Sequence, residues 1–221
     1  LRMISAPVQG ERVFSTHPAD DPNEQHVLSL ILESGIDTYD RYPFPQSGMG
    51  LNLKFKTATR GSYGIDPVRY SKFSGIFERW FSLTSRYSLL TRLHGGYAEP
   101  TVPTWEKFSL GGKGSFGGLH VRELTGNQLL AGNIGLRFDL LSRFLAEAFI
   151  TARYDFGQIV DGVEQLEFEH GFFRHGISML FTLNTLIGPV DLGWGWSFPH
   201  RDIPENHVIY FSLGYEHYTG R

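Results

Sequence analysis

Cysteine is absent from the 221 residues, which excludes disulfides and thiolate metal sites and is compatible with an oxidising compartment. Charge is scarce: Asp, Glu, Lys and Arg make up 19% of the chain, against about 25% in an ordinary soluble domain. No apolar run reaches the roughly 18 residues that a helical membrane span requires, so that class is excluded. The net charge of −3 carries no basic surplus for nucleic acid, and none is expected as a partner. Helix-period stretches, tandem repeats and low-complexity tracts are missing as well, so a single domain over 1–221 is expected. No signal-peptide pattern precedes Leu1, and a processed or shortened chain is expected.

What the chain has is glycine, 26 residues, and aromatics, 14%. Both suit a barrel, with aromatic girdles at the membrane interfaces and glycines at crowded or bent positions. Apolar and polar residues alternate with period two, the signature of strands. In 189–198, Val190, Leu192, Trp194, Trp196 and Phe198 share one face, and Asp191, Gly193, Gly195 and Ser197 the other. The same alternation runs through 51–57, 87–97, 128–140, 145–156 and 207–217, and strands are also expected at 26–35, 68–82 and 175–184. A weaker strand in 2–14 would make the count even, as bacterial barrels require. The expected fold is therefore all-β, an antiparallel transmembrane barrel of about 8–10 strands with a long loop folded toward the lumen.

Alternation alone also fits a soluble sandwich or ligand-binding barrel with its apolar face inward. Two features point to the membrane. Trp194, Trp196 and Phe198 stack on one strand face, and strands of about ten residues match a tilted membrane crossing rather than the five or six typical of soluble sheets. Connectors also alternate in length. Leu83–Arg86, Leu141–Phe144 and Thr185–Gly188 are tight, whereas Thr59–Asp66, Glu99–Gly126, Gly157–Leu166 and His200–Asn206 are longer. Outer-membrane barrels have short periplasmic turns and long external loops. The connector Thr38–Gly48 is too long for its side.

The segment KFSLGGKGSFGGLHVRELTGNQLLAGNIGLRF at 107–138 resembles the loop and following strand of the bacterial surface antigen superfamily. That group includes BamA, two-partner secretion transporters and the barrels of patatin-like phospholipases, the branch most similar in flavour. ARYDFGQIV at 152–160, GFFRHGISMLFTLNTLIGPVDLGWGWSF at 171–198, YFSLGYEH at 210–217 and DTYDRYPFPQSG at 37–48 are similar to further family segments in the same order. The resemblance implies a bacterial outer-membrane protein, reduced and without periplasmic domains, acting in transport, assembly or anchoring. Its partners would be the lipid bilayer with lipopolysaccharide and the barrel assembly machinery, with pairing to a second copy left open. It also implies a lumen-directed loop 99–127 whose motif residues are Gly111, Gly112, Phe116, Gly117, Gly118, Leu119 and Glu123. The closing strand would carry Phe211, Leu213, Gly214, Tyr215 and His217. Gly117 stands where the family tip carries an arginine that bonds the inward aspartate, here Asp155. Arg122 and Arg153 are the candidate replacements.

Parity places Arg137, Asp139, Glu147, Arg153 and Asp155 on one face of two adjacent strands. Together with Arg122 they form an expected polar network in the lumen, with opposite charges paired across strands. No catalytic set is expected. Gly114–Gly118 lacks the strand–serine–helix context of a nucleophile elbow, and the nine histidines show no ligand spacing, so neither metal nor cofactor is expected. The alternatives are the anchor or fragment of a lipid-acting hydrolase, and a soluble ligand-binding barrel.

Overall fold

The structure, a computed structural model, describes residues 2–3, 8–13, 25–60, 69–143, 146–168, 170–185, 188–201 and 203–214. Its strands are β1 (Arg2–Met3), β2 (Val8–Val13), β3 (Gln25–Asp37), β4 (Gly48–Arg60), β5 (Arg69–Ser82), β6 (Tyr87–Ala98), β7 (Phe108–Leu110), β8 (Leu124–Gly126), β9 (Gln128–Arg143), β10 (Ala146–Val160), β11 (Arg174–Thr185), β12 (Gly188–Ser197) and β13 (Asn206–Leu213). Apart from the β7–β8 hairpin, all belong to one antiparallel sheet in the order β1, β3, β4, β5, β6, β9, β10, β11, β12, β13, with β2 also on β3.

β1 and β2 lie on the same edge of β3. Met3 pairs Ser34 and Val8 pairs Leu30, a one-residue slip between the two pieces. They therefore form one interrupted edge strand, the weak strand expected in 2–14. Every other expected strand is present, and several run longer than their alternation. β10 continues through Gly157 to Val160, so the connector expected to begin at Gly157 begins later. β4 and β9 likewise extend past their patterned cores. No helix among the described residues is long and apolar enough to cross a membrane.

The alternation is inverted relative to a water-soluble sheet. On β9, Ile134 and Leu136 are 50% and 44% exposed, while Asn133, Arg137 and Asp139, of the opposite parity, are 3%, 2% and 8% exposed. On β13, Ile209 and Phe211 are more than 70% exposed and Tyr210 between them is buried. β12 exposes Leu192 and Trp194 and buries Asp191 and Ser197. Leu28, Leu30, Leu32, Leu51, Leu53, Phe73, Phe81, Leu93, Met179 and Phe181 extend the exposed face across the other strands. An apolar surface this continuous is stable only in contact with acyl chains. The antiparallel ladders satisfy the backbone within the sheet, as a lipid setting demands. The sheet therefore rolls around its polar face, and β5, β6, β9, β10, β11, β12 and β13 all border one interior cavity.

This orientation gives a direct test. Leu136→Arg, at the middle of the outward row of β9, lowers the unfolding free energy in lipid vesicles by about 2–4 kcal/mol, and Leu140→Arg nearer the strand end by about 0–1 kcal/mol. Urea titration of the vesicle-embedded protein measures both. Equal and negligible effects contradict a lipid-facing row.

Candidate functional site

The interior is filled by the chain itself, beginning with the long connector between β6 and β9. Its base is the β7–β8 hairpin, in which Phe108 pairs Gly126 and Leu110 pairs Leu124. Between the two strands the segment 111–123 folds on itself. Gly112 donates its N–H to the Leu119 carbonyl at 2.9 Å, and Phe116 N–H donates to the Gly112 carbonyl at 3.0 Å. Phe108, Leu110, Phe116 and Leu119 are fully buried, giving the lumen a small apolar centre with Val102, Leu129 and Ala131.

The tip is fixed by polar contacts to the wall. Gly117 N–H donates to Asp155 Oδ2 on β10 at 2.8 Å, and Arg153 Nε lies 2.7 Å from Asp155 Oδ1. Ser178 of β11 donates to the same carboxylate at 3.4 Å. On β13, the Tyr210 hydroxyl accepts from Gly118 N–H at 3.1 Å and donates to the Leu119 carbonyl at 2.8 Å. Lys113 Nζ reaches Asp191 Oδ2 of β12 and Ser212 Oγ of β13, both at 2.5 Å. Arg92 of β6 donates to the Gly114 carbonyl at 2.9 Å and pairs with Glu78 of β5. These contacts bond one loop to four strands, β6, β10, β12 and β13. They require backbone to approach backbone: Gly118 has φ 84°, and a Cβ there would overlap the β12 backbone at Trp196–Ser197.

A second insert enters between β3 and β4. Residues 38–47 turn inward instead of forming a tight connection, which explains the excess length of that connector. Arg41 Nη1 lies 3.0 Å from Glu147 Oε1 and its Nη2 lies 3.9 Å from Asp139. Gln46 Nε2 donates to Asp139 at 2.5 Å, and the Pro45 carbonyl accepts from Arg137 at 2.7 Å. Phe44 packs edge-on to Phe149 at 4.7 Å. The Arg137 guanidinium sits 4.4 Å from the Trp80 ring and 5.1 Å from Phe149, so a buried charge has aromatic faces as well as Asp139, 3.3 Å away. Asp40 holds the turn by accepting from the N–H groups of Gln46 and Ser47 at 2.9 and 3.1 Å. Burial raises its pKa, but those two hydrogen bonds outweigh it and hold the carboxyl below its ordinary value. Between the two inserts lies a cavity of about 290 Å³, bordered by Pro43, Phe44 and Pro45 on one side and Lys113 and Gly114 on the other.

The expected lumen loop is therefore in place: Phe116, Gly117, Gly118 and Leu119 are buried at its tip, and Gly111 and Gly112 take positive φ at its base. Glu123 is exposed beside it, accepting from His120 N–H at 2.6 Å and Asn206 Nδ2 at 3.2 Å. The expected network needs two corrections. Arg122 is exposed with φ 59°, and its guanidinium donates to the Trp105 carbonyl at 3.5 Å, remote from Asp155. Arg137–Asp139 and Arg153–Asp155 pair along their own strands, where side chains two residues apart share a face, rather than across strands. Glu147 is matched by Arg41 from the insert. At the position where the resemblance implied an arginine, Gly117 meets Asp155 with its backbone N–H. On the closing strand, Phe211 and Leu213 face outward, and Gly214 N–H donates to the Pro189 carbonyl at 2.8 Å. Tyr215 and His217 lie outside the described residues.

Lys113, Tyr210 and Arg41 escaped the sequence reading. Lys113 was discoverable, being the lone charge in the glycine-rich stretch 109–119. Tyr210 had inward parity between Ile209 and Phe211. Arg41 sits in a connector without periodicity and gave no signal.

The Omp85 superfamily domain matches residues 5–217, nearly the whole sequence. The chain belongs to the Omp85 superfamily. No curated protein matches it. Among solved structures it is similar to BamA from Haemophilus ducreyi lacking POTRA domains 1–3, at TM-score 0.69 and 15% identity over 90% of this chain and 45% of that one. CdiB from Escherichia coli is similar at TM-score 0.60 and 17% identity, over 85% of this chain and 36% of that one. The Omp85 chain thus spans less than half the length of either structure, and at these identities the likeness is one of fold.

Two outcomes test the site. Asp155→Ala leaves Gly117 N–H and Arg153 without their carboxylate, a loss of about 3–5 kcal/mol for a broken buried pair. It exposes the bond after Lys113 to trypsin, read as a new fragment by mass spectrometry; a cleavage pattern unchanged from wild type contradicts the lock. Because the Asp40 pKa is lowered on folding, its stabilisation is complete above the ordinary value of about 3.9 and fades as pH falls through the lower folded value. The urea midpoint of Asp40→Ala should therefore fall below wild type at about pH 6 and converge with it at about pH 2. A constant difference at both pH values contradicts the assignment.

Proposed function

We propose that the chain is a barrel module of the bacterial outer membrane that acts in protein assembly or translocation, working at its last strand rather than through an open lumen. The observation that carries this reading is the attachment of the loop to β13. Asn206, Tyr210 and Ser212, three of the four inward residues of that strand, are hydrogen-bonded to Glu123, to Gly118 and Leu119, and to Lys113. Among the described residues, the two inserts occupy the space that the polar face encloses, which favours an edge strand over the lumen as the working surface. β13 pairs with β12 along one side, and its other side has no partner strand among the described residues, so another strand can pair there, since an edge presents unpaired N–H and C=O groups.

In this reading the module is not an enzyme. The bilayer, with lipopolysaccharide in its outer leaflet, surrounds the apolar face. The barrel assembly machinery inserts the chain, and a second copy is one of the chains able to meet β13. The BamA and CdiB likenesses support the fold on which this reading rests.

A photoreactive residue tests it. Placed at Ile209 of the membrane-embedded protein in cells, it should crosslink to other outer-membrane polypeptides, and at Leu136 in the middle of the wall it should not. Equal crosslinking from Ile209 and Leu136, or no polypeptide adduct from Ile209, contradicts the reading.

A further inference from the structure

A second cavity, about 310 Å³, opens at the loop end of the barrel, away from the one between the inserts. Its walls are the plug hairpin at Leu110 and Leu124, the ends of β10 and β11, and His200, Arg201 and Ile203 from the connector after β12. Three nitrogen-rich side chains line it: Arg174, His200 and Arg201. Arg174 is 3% exposed, yet its Nη2 makes no hydrogen bond, and its Nη1 has only a long 3.4 Å contact to Ser197 Oγ. Arg201 takes φ 51° at the corner of a turn closed by reciprocal His200–Ile203 hydrogen bonds of 3.0 Å, and its guanidinium stacks 4.4 Å over Phe172. Among the described residues, no carboxylate stands within ion-pair distance of any of the three. Glu123, the one carboxylate in the lining, is hydrogen-bonded to His120 and Asn206 and acts on Arg174 only through space, without completing its hydrogen bonds. Burial, then Arg174 and Arg201, hold the His200 imidazole below its ordinary pKa, a sign of the positive potential in the cavity.

A guanidinium taken out of water with an unused N–H is costly unless an anion completes it. Two guanidiniums and an imidazole converging on one space suit a group with several charged oxygens. Leu110, Leu124, Ile159, Phe172 and Ile203 give the rest of the wall an apolar surface. We propose that this vestibule is a binding site for a phosphate group, with room for the sugar or similar small group that carries it. Arg174 and Arg201 hold its oxygens, and Phe172 backs the carrier. The phosphate comes either from a lipid headgroup of the surrounding leaflet or from free solute. Only the lipid source rests on the membrane orientation proposed above.

The test uses the full chain purified in detergent. Inorganic phosphate, and separately glucosamine 1-phosphate, should raise the thermal midpoint saturably relative to chloride at equal ionic strength. Arg201→Gln, an exposed position, should weaken both at least about tenfold, the loss of one charge-assisted contact. Arg174→Gln should abolish the response. Since Arg174 is buried, the heat-modifiable gel shift verifies that its variant folds, and Arg201→Gln decides the matter if it does not. Lipopolysaccharide that co-purifies with wild type and is lost in Arg201→Gln identifies a lipid source; equal carry-over with a phosphate response confined to wild type identifies a solute. No phosphate response beyond chloride in wild type, or an equal response in Arg201→Gln, overturns the site whatever the module does at β13.

Discussion

The outward residue of every strand must be apolar because it meets acyl chains, and the rest of the structure follows from that constraint. Since side chains alternate along a strand, every polar residue of the wall is sent inward. The interior thus receives Lys56, Lys72, Arg137, Asp139, Asp155, Arg174 and Asp191, all buried, and unpaired charges there would be expensive. The two inserts answer that need. Glu106, from the connector leading to the plug, pairs with Lys56 at 2.7 Å, Lys113 meets Asp191, and Arg41 meets Glu147. The plug brings backbone as well as side chains, and Asp155 is satisfied partly by a peptide N–H.

This arrangement couples the loop to the strands. Removing the plug would leave Asp155, Asp191 and Tyr210 short of partners at once, so its contacts stand or fall together. The same contacts reach β13, which is otherwise held by its ladder to β12. The insert 38–47 adds a comparable set of contacts on the opposite side of the cavity, through Asp139, Arg137 and Phe149.

The wall was legible in the sequence because period two is a local signal. Leu130 through Leu140 and Val190 through Phe198 announce their strands without any tertiary information. The network was legible only in part. Parity put Arg137, Asp139, Arg153 and Asp155 on the inward face, but their partners depend on chain segments that carry no period. Arg41 came from a connector whose excess length was visible while its direction was not. Gly117 marked the departure from the family tip, yet a backbone N–H has no letter in a sequence, so its bond to Asp155 could be found only in three dimensions. Arg122 misled because proximity in sequence to the tip says nothing of side, and its positive φ turns it outward.

Two of the four tryptophans report directly on which face of the sheet touches lipid. Trp194 lies on the outward face of β12, and Trp80 lies inward beneath Arg137. In single-tryptophan variants reconstituted into vesicles whose acyl chains carry a bromine or nitroxide quencher, Trp194 fluorescence should be strongly quenched and Trp80 fluorescence should not. Quenching of Trp80 with Trp194 protected would contradict the inverted barrel and everything built on it.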